Sequence, residues 1–174
     1  NANLALSHNL AIIPVINKID LPAADPERVK REIEEALFLE PSECLLASAK
    51  EGLGIDKILE AIVQQVPPPV GNPEAPLRAL VFDSHFDSHL GVVAYVRVVD
   101  GILKPGMQVR MMASGFDTKV SGVGVFAPDM RSADALWTGQ VGFVHAAIKD
   151  ISVCRVGETL TQNDRLAAQP LPGY

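Results

Sequence analysis

Two short runs in this chain carry residue types that could do chemistry: Asn17-Lys18-Ile19-Asp20 and Ser48-Ala49-Lys50. Each follows an apolar stretch, Leu10 to Ile16 before the first and Cys44 to Ala47 before the second. The Asp20 carboxylate offers two acceptor oxygens. Guanine matches them with two adjacent donors, its N1–H and its exocyclic amine, in a bidentate, charge-assisted pair. Adenine lacks that amine and presents an acceptor at N1. A site built on such bonds rejects the wrong base by roughly 10⁴-fold or more, because its buried polar groups are left unpaired. Asn17 can support the base edge and the neighbouring loop through its amide. The stem of Lys18 can lie over the ring or ribose, and the Ala49 N–H can donate to the guanine carbonyl, with Ser48 and Lys50 shaping the loop. An N-K-x-D tetrapeptide alone is weak, since Asn and Asp are common in turns. A strand before it and Ser-Ala-Lys one crossover later make the combination specific.

The rest of a phosphoryl-transfer apparatus is not in this sequence. It has no Gly-Lys pair, so no Gly-x4-Gly-Lys-Ser/Thr phosphate cradle, and no Asp-x-x-Gly loop to link Mg²⁺ to a γ-phosphate. Positioning of phosphate, metal and water is what such catalysis consists of. The expectation is a chain that selects guanine but neither hydrolyses GTP nor binds it tightly alone. No catalytic residue and no metal ligand is assigned.

These residues need elements to hold them. In residues 1–66, Leu10 to Ile16 reads as a parallel strand covered on both faces, with Pro14 an irregularity that permits an edge or bulge. Asp25 can cap a helix that begins at Pro26, with Val29, Ile33, Ala36 and Leu37 on one face. Cys44 to Ala47 suggests a second strand, Gly52 and Gly54 a loop, and Ile55, Ile58, Leu59, Ile62, Val63 and Val66 an amphipathic helix. Strand, helix, strand, helix with short loops predicts an α/β layer with parallel strands. Ligands of such sheets sit beyond the carboxyl ends of the strands, where both runs fall. Asn1 reads as lying within a helix before the first strand. Neighbouring strands are expected to be absent, leaving an exposed sheet edge.

Residues 67–76, PPPVGNPEAP, hold five prolines and predict a stiff extended linker at a domain boundary. In residues 77–169 the helical period disappears. Gly91 to Val99 alternates, Asp100-Gly101 and Pro105-Gly106 are turn pairs, and further strands are expected at Gln108–Met112, Thr118–Phe126, Val141–Ile148 and Glu158–Thr161. Five or six short strands between such turns predict a small closed antiparallel β-barrel. Residues 170–174 read as the entry to a following domain.

Other features carry less. Asp83-Ser84-His85-Phe86-Asp87-Ser88-His89 would put His85 and His89 on one face if helical, a zinc-like spacing, but a loop or strand end between strand-like runs is the expectation. Cys44 and Cys154 sit in apolar runs that read as strands, so both are expected as buried free thiols in a reducing cytosolic setting. Trp137 reads as barrel-end packing, and Met111-Met112 as strand filling. His8 and His145 have no partner that suggests catalysis. The net charge of −6, with Arg28, Lys30 and Arg31 interleaved among glutamates, argues against a nucleic-acid surface of its own, so that an RNA partner would be engaged locally or through other parts of the protein, and gives no reason to expect DNA. No apolar run reaches the roughly 18 residues of a membrane span.

The stretch AIIPVINKIDLP with the later SAK resembles the guanine-specificity end of translational GTPases. The linker PPPVGNPEAPL and ALVFDSHFDSHLGVV resemble the LepA (elongation factor four) family in particular, as do GILKPGMQV, the run Lys149 to Ile151, VGETL and the closing PLPG. The likeness covers essentially the whole chain. It departs at His89, where the family pattern has an aromatic tyrosine, and at VGETL, which replaces an Asp-containing version. The resemblance implies the C-terminal part of a P-loop-type G domain followed by the second-domain barrel of translation factors. It implies a parent that binds and hydrolyses GTP with Mg²⁺ on elongating ribosomes and is linked to tRNA movement. It also implies a cytoplasmic protein with part of its pool associated peripherally with the membrane. The alternatives are another translational GTPase, such as a release or initiation factor, or a non-enzymatic β-barrel binding module.

Overall fold

The computed structural model describes residues 2–146, 148 and 150–173, and the chain divides after Pro67 into two units. The first unit contains α1 (Ala2–Ser7), β1 (Val15–Ile16), α2 (Pro26–Leu37), β2 (Leu45–Leu46) and α3 (Ile55–Gln65), with a 3₁₀ turn at Pro41–Glu43. The strands β1 and β2 pair in parallel, Val15 with Leu45 and Ile16 with Leu46. Leu45 N–H donates to the Pro14 carbonyl and Ala47 N–H to the Ile16 carbonyl, both at 2.9 Å. Pro14 therefore sits where the ladder asks it only for an acceptor. Of the expected strand Leu10–Ile16, only Val15–Ile16 enters the ladder. A proline donates nothing, and the segment before it runs past the end of its partner.

Helix α2 starts as its residues dictate. Asp25 Oδ1 accepts from Arg28 N–H at 3.0 Å, and Pro26 occupies the first turn, where its missing donor costs nothing. It stops at Phe38, whose φ of +57° is left-handed. The apolar stripe of α3 is mostly in the open: Leu59 is 60% exposed and Val63 78%, and among its described residues only Ala61 is buried. Two strands of two residues offer too little surface to cover that face.

The second unit holds β3 (Arg78–Asp87), β4 (Gly91–Asp100), β5 (Ile102–Leu103), β6 (Gln108–Met111), β7 (Asp117–Phe126), β8 (Met130–Ala133), β9 (Leu136–Trp137), β10 (Val141–Ala146) and β11 (Thr159–Gln162). The order β10-β4-β3-β11-β6-β7 returns to β10, so six strands close on themselves as a barrel, and β8 adds to β7. Closure removes the free edges that an open sheet would leave. Period-two alternation turns Val92, Ala94, Val96 and Val98 inward, where they meet Leu77, Val81, Leu103, Met111, Leu136 and Leu160. Replacing one of these buried leucines by alanine costs about 2–5 kcal/mol.

The polar segment from Asp83 is a strand end, one of its two expected forms. Strand β3 continues through it to Asp87 and pairs with β4 as far as Gly91. An antiparallel sheet with one solvated face accepts outward polar side chains, and this composition alone imitates a loop. The last expected strand begins at Thr159 rather than Glu158, and Gln108–Met112 ends at Met111. Ala147 in the expected strand Val141–Ile148, Lys149 in the family-like run, and the terminal Asn1 and Tyr174 lie outside the described residues. Cys44 and Cys154 are buried free thiols, but neither is within a strand. One precedes β2, and the other follows the 3₁₀ turn Ile151–Val153.

Candidate functional site

The parallel pairing of β1 and β2 ends both strands at the same level, so the loops after them emerge side by side. Ile19 N–H donates to the Ala47 carbonyl at 3.2 Å, fixing the first loop against the second. Asn17 ties them further: its Oδ1 accepts from Lys18 N–H at 2.7 Å and from Ala49 N–H at 3.1 Å. Lys18 adopts a φ of +65°, a conformation costly for a residue with a side chain and held here by those contacts. Ser48 is fully buried. Its hydroxyl donates to Asp20 Oδ1 at 2.6 Å and accepts from Glu51 N–H at 3.2 Å.

Asn17, Lys18, Asp20, Ser48, Ala49 and Lys50 line one pocket of about 380 Å³ together with Leu21. Of the sequence-derived residues, only Ile19 is not on it. Ile19 lies on the adjoining depression beside Ile16, Pro26 and Val29, and so acts as the spacer that turns Asp20 into the pocket. The pocket offers a carboxylate with one oxygen beyond its Ser48 bond, the carboxamide nitrogen of Asn17, two lysine stems and an apolar wall at Leu21. This set suits a flat heterocycle with adjacent N–H donors. The Ala49 N–H, expected to be able to donate to a guanine carbonyl, donates here to Asn17 Oδ1, the same tie that brings the two loops together.

Residues outside the two runs also build the site. Ser48 and Leu53 exchange two backbone hydrogen bonds at 3.0 Å, closing the second loop. Gly54, at φ +72°, lies so close to β2 that a Cβ would collide with the Leu46 carbonyl oxygen. The Gly52-x-Gly54 pattern was the available signal for that closure, whereas nothing beyond adjacency to Asp20 pointed to Leu21.

The histidine segment does not form a comparable centre. His85 lies in β3 with its ring against Tyr95, centroids 5.4 Å apart, while His89 follows the strand in a turn, so they share no helical face. Asp87 Oδ1 accepts from Leu90 N–H and, to a lesser effect, from His89 N–H, which holds its carboxyl below the usual carboxylate range. Among the described residues, no three His, Cys, Asp or Glu side chains come together as metal ligands. Trp137 is half exposed instead of packed into the barrel end, and the Lys104 ammonium sits 5.7 Å from its ring centroid.

Residues 1–68 match the family model of the elongation factor Tu GTP-binding domain, and residues 91–161 that of elongation factor Tu domain 2. Elongation factor 4 of Desulforudis audaxviator is 56% identical over all 174 residues. The proteins of the same name from Geobacillus thermodenitrificans and Bacillus subtilis are each 53% identical over the same length. The chain spans 29%, 29% and 28% of these relatives, respectively. The fold is that of the apo crystal structure of translation elongation factor SelB from Methanococcus maripaludis. The TM-score is 0.75 at 23% identity, over 92% of this chain and 35% of that one.

Proposed function

The chain belongs to the elongation factor 4 family of translational GTPases, and from that premise we propose that its first unit is the guanine-reading end of a GTP-binding domain. The observation that carries this reading is the convergence of Asp20 and the Ser48–Lys50 loop on one pocket, from positions far apart in sequence. Asp20 would accept the N1–H and amine of the base. Asn17 and Ser48 would hold that carboxylate and its facing loop in place. Lys18 and Leu21 would flank the ring. These are binding and positioning roles.

The sequence supplies no phosphate cradle and no Asp-x-x-Gly, and no candidate ligand cluster for Mg²⁺ exists among the described residues. No step of phosphoryl transfer is therefore assigned to residues of this chain. Hydrolysis of GTP on the ribosome, in connection with tRNA movement, belongs in this reading to the longer protein. The elongation factor 4 relatives support a setting in translation, while the link to tRNA movement rests on the family likeness alone. The barrel would serve as its second domain. Peripheral membrane association rests on the family likeness alone. Among the described residues, no helix is long and apolar enough to cross a membrane.

The test is a titration with GDP and ADP of this chain beside a longer form that includes a phosphate loop. Guanine-selective binding should be weak or undetectable in the first and strong in the second. A longer form that fails to distinguish GDP from ADP would overturn the reading.

A further inference from the structure

The proline-rich segment behaves as part of the barrel, with Asn72 at its centre. Asn72 N–H donates to Asp100 Oδ1 at 2.9 Å, its carbonyl accepts from Gly101 N–H at 2.9 Å, and its own Oδ1 accepts from Glu74 N–H at 2.9 Å. Asp100, at the end of β4, is only 7% exposed, and its second oxygen accepts from Arg78 Nε at 2.8 Å and from a terminal guanidinium nitrogen at 2.5 Å. Both carboxylate oxygens are thus committed, one to the segment and one to the first residue of β3. A buried charge so paired is costly to leave half satisfied.

Glycines stand where the segment touches the barrel. A Cβ on Gly71 would collide with the Val99 carbonyl oxygen. On Gly101, at φ +71°, it would meet Leu77 Cα at 2.8 Å, and on Gly139, at φ +86°, Pro69 Cβ at 2.9 Å. Thr138 Oγ1 donates to the Gly101 carbonyl at 2.7 Å, bracing the turn that receives the segment. Close seating at three glycines, together with bonds to both the N–H and the carbonyl of Asn72, is not how a free linker sits.

We infer that residues 69–77 are a strap locked onto the barrel by Asp100, so that the joint after α3 is confined to Val66–Pro68. A strap held from Pro69 onward leaves three residues for the joint, two of them prolines with fixed φ.

Hydrogen exchange resolved by residue on the whole chain tests this. The amides of Asn72, Glu74 and Gly101 should exchange at least about 100-fold more slowly than an unstructured peptide. Asp100→Asn should speed them about tenfold or more, the loss expected for a charge-assisted bond, while β4 and β10 stay protected. Gly71→Val alters no strand and reads the same lock if Asp100→Asn fails to fold, and it should give the same release. Unprotected amides in the unaltered chain, or protection unchanged by Gly71→Val, would overturn the inference.

Discussion

Ser48 and Asp20, 28 positions apart, meet through a 2.6 Å hydrogen bond from the serine hydroxyl to Asp20 Oδ1. The bond does two things at once. It holds the Asp20 carboxylate at the pocket wall, and it fastens the loop after β2 to the loop after β1. The carboxylate we propose as the base-selecting group is thus held by the element that forms the facing wall, which is how a hydrogen-bonding site is pre-organised.

Removing that hydroxyl should loosen the site without abolishing it. In a longer form that binds nucleotide, Ser48→Ala is expected to weaken GDP about tenfold or more, from the loss of one bond to a charged acceptor. Isothermal titration reads this directly, and an unchanged affinity would show that the carboxylate is placed by something else.

Asp20→Asn exchanges one acceptor for a donor and should set the amide against the guanine N–H groups. Guanine binding is expected to drop at least about 100-fold, while a nucleotide with a carbonyl in place of the exocyclic amine gains. Competition between GDP and xanthosine diphosphate distinguishes a change of preference from simple damage, since damage weakens both.

Glu158 is a buried carboxylate whose oxygens accept from the backbone N–H groups of Ala113, Ser114 and Thr159 at 2.8 to 3.2 Å. Glu158→Ala strands three donors and is expected to cost the barrel about 2–4 kcal/mol in urea unfolding, with Glu158→Gln milder. Equal losses for the two substitutions would contradict the hydrogen-bond account.

Acid should weaken the barrel at defined carboxylates. The Asn72 N–H holds the Asp100 carboxyl below its ordinary range, with further help from Arg78, and Arg110 does the same for Asp117. A carboxyl whose folded value lies below its unfolded value of about 3.9 stabilises the fold above that value, and the contribution is lost as pH falls through the folded value. The urea midpoint should therefore be level above about pH 5 and decline below about pH 4. Asp100→Asn should flatten that decline, and a decline of unchanged slope would locate the effect elsewhere.

Cys154 is fully buried, and its thiol is pushed up to about 11 by desolvation and by the neighbouring Glu158 charge. It should not react with a thiol-specific disulfide reagent at pH 8 in the folded chain and should react at once in denaturant. Rapid native labelling at Cys154, mapped by mass spectrometry, would be inconsistent with the barrel interior described here.

Residue type and spacing alone determined the pairing of Asn17–Asp20 with Ser48–Lys50, the cap at Asp25, the alternation along β4 and the barrel class. These depend on local chemistry and on period-two or helical repeats, which are written in order along the chain. The tertiary structure decided the rest. It spent the Ala49 N–H on Asn17, extended β3 through a segment whose polar side chains imitate a loop, and drew the proline-rich residues onto Asp100. Each of those outcomes depends on which distant backbone group arrives within hydrogen-bonding reach, and that is fixed only when the strands have found their partners.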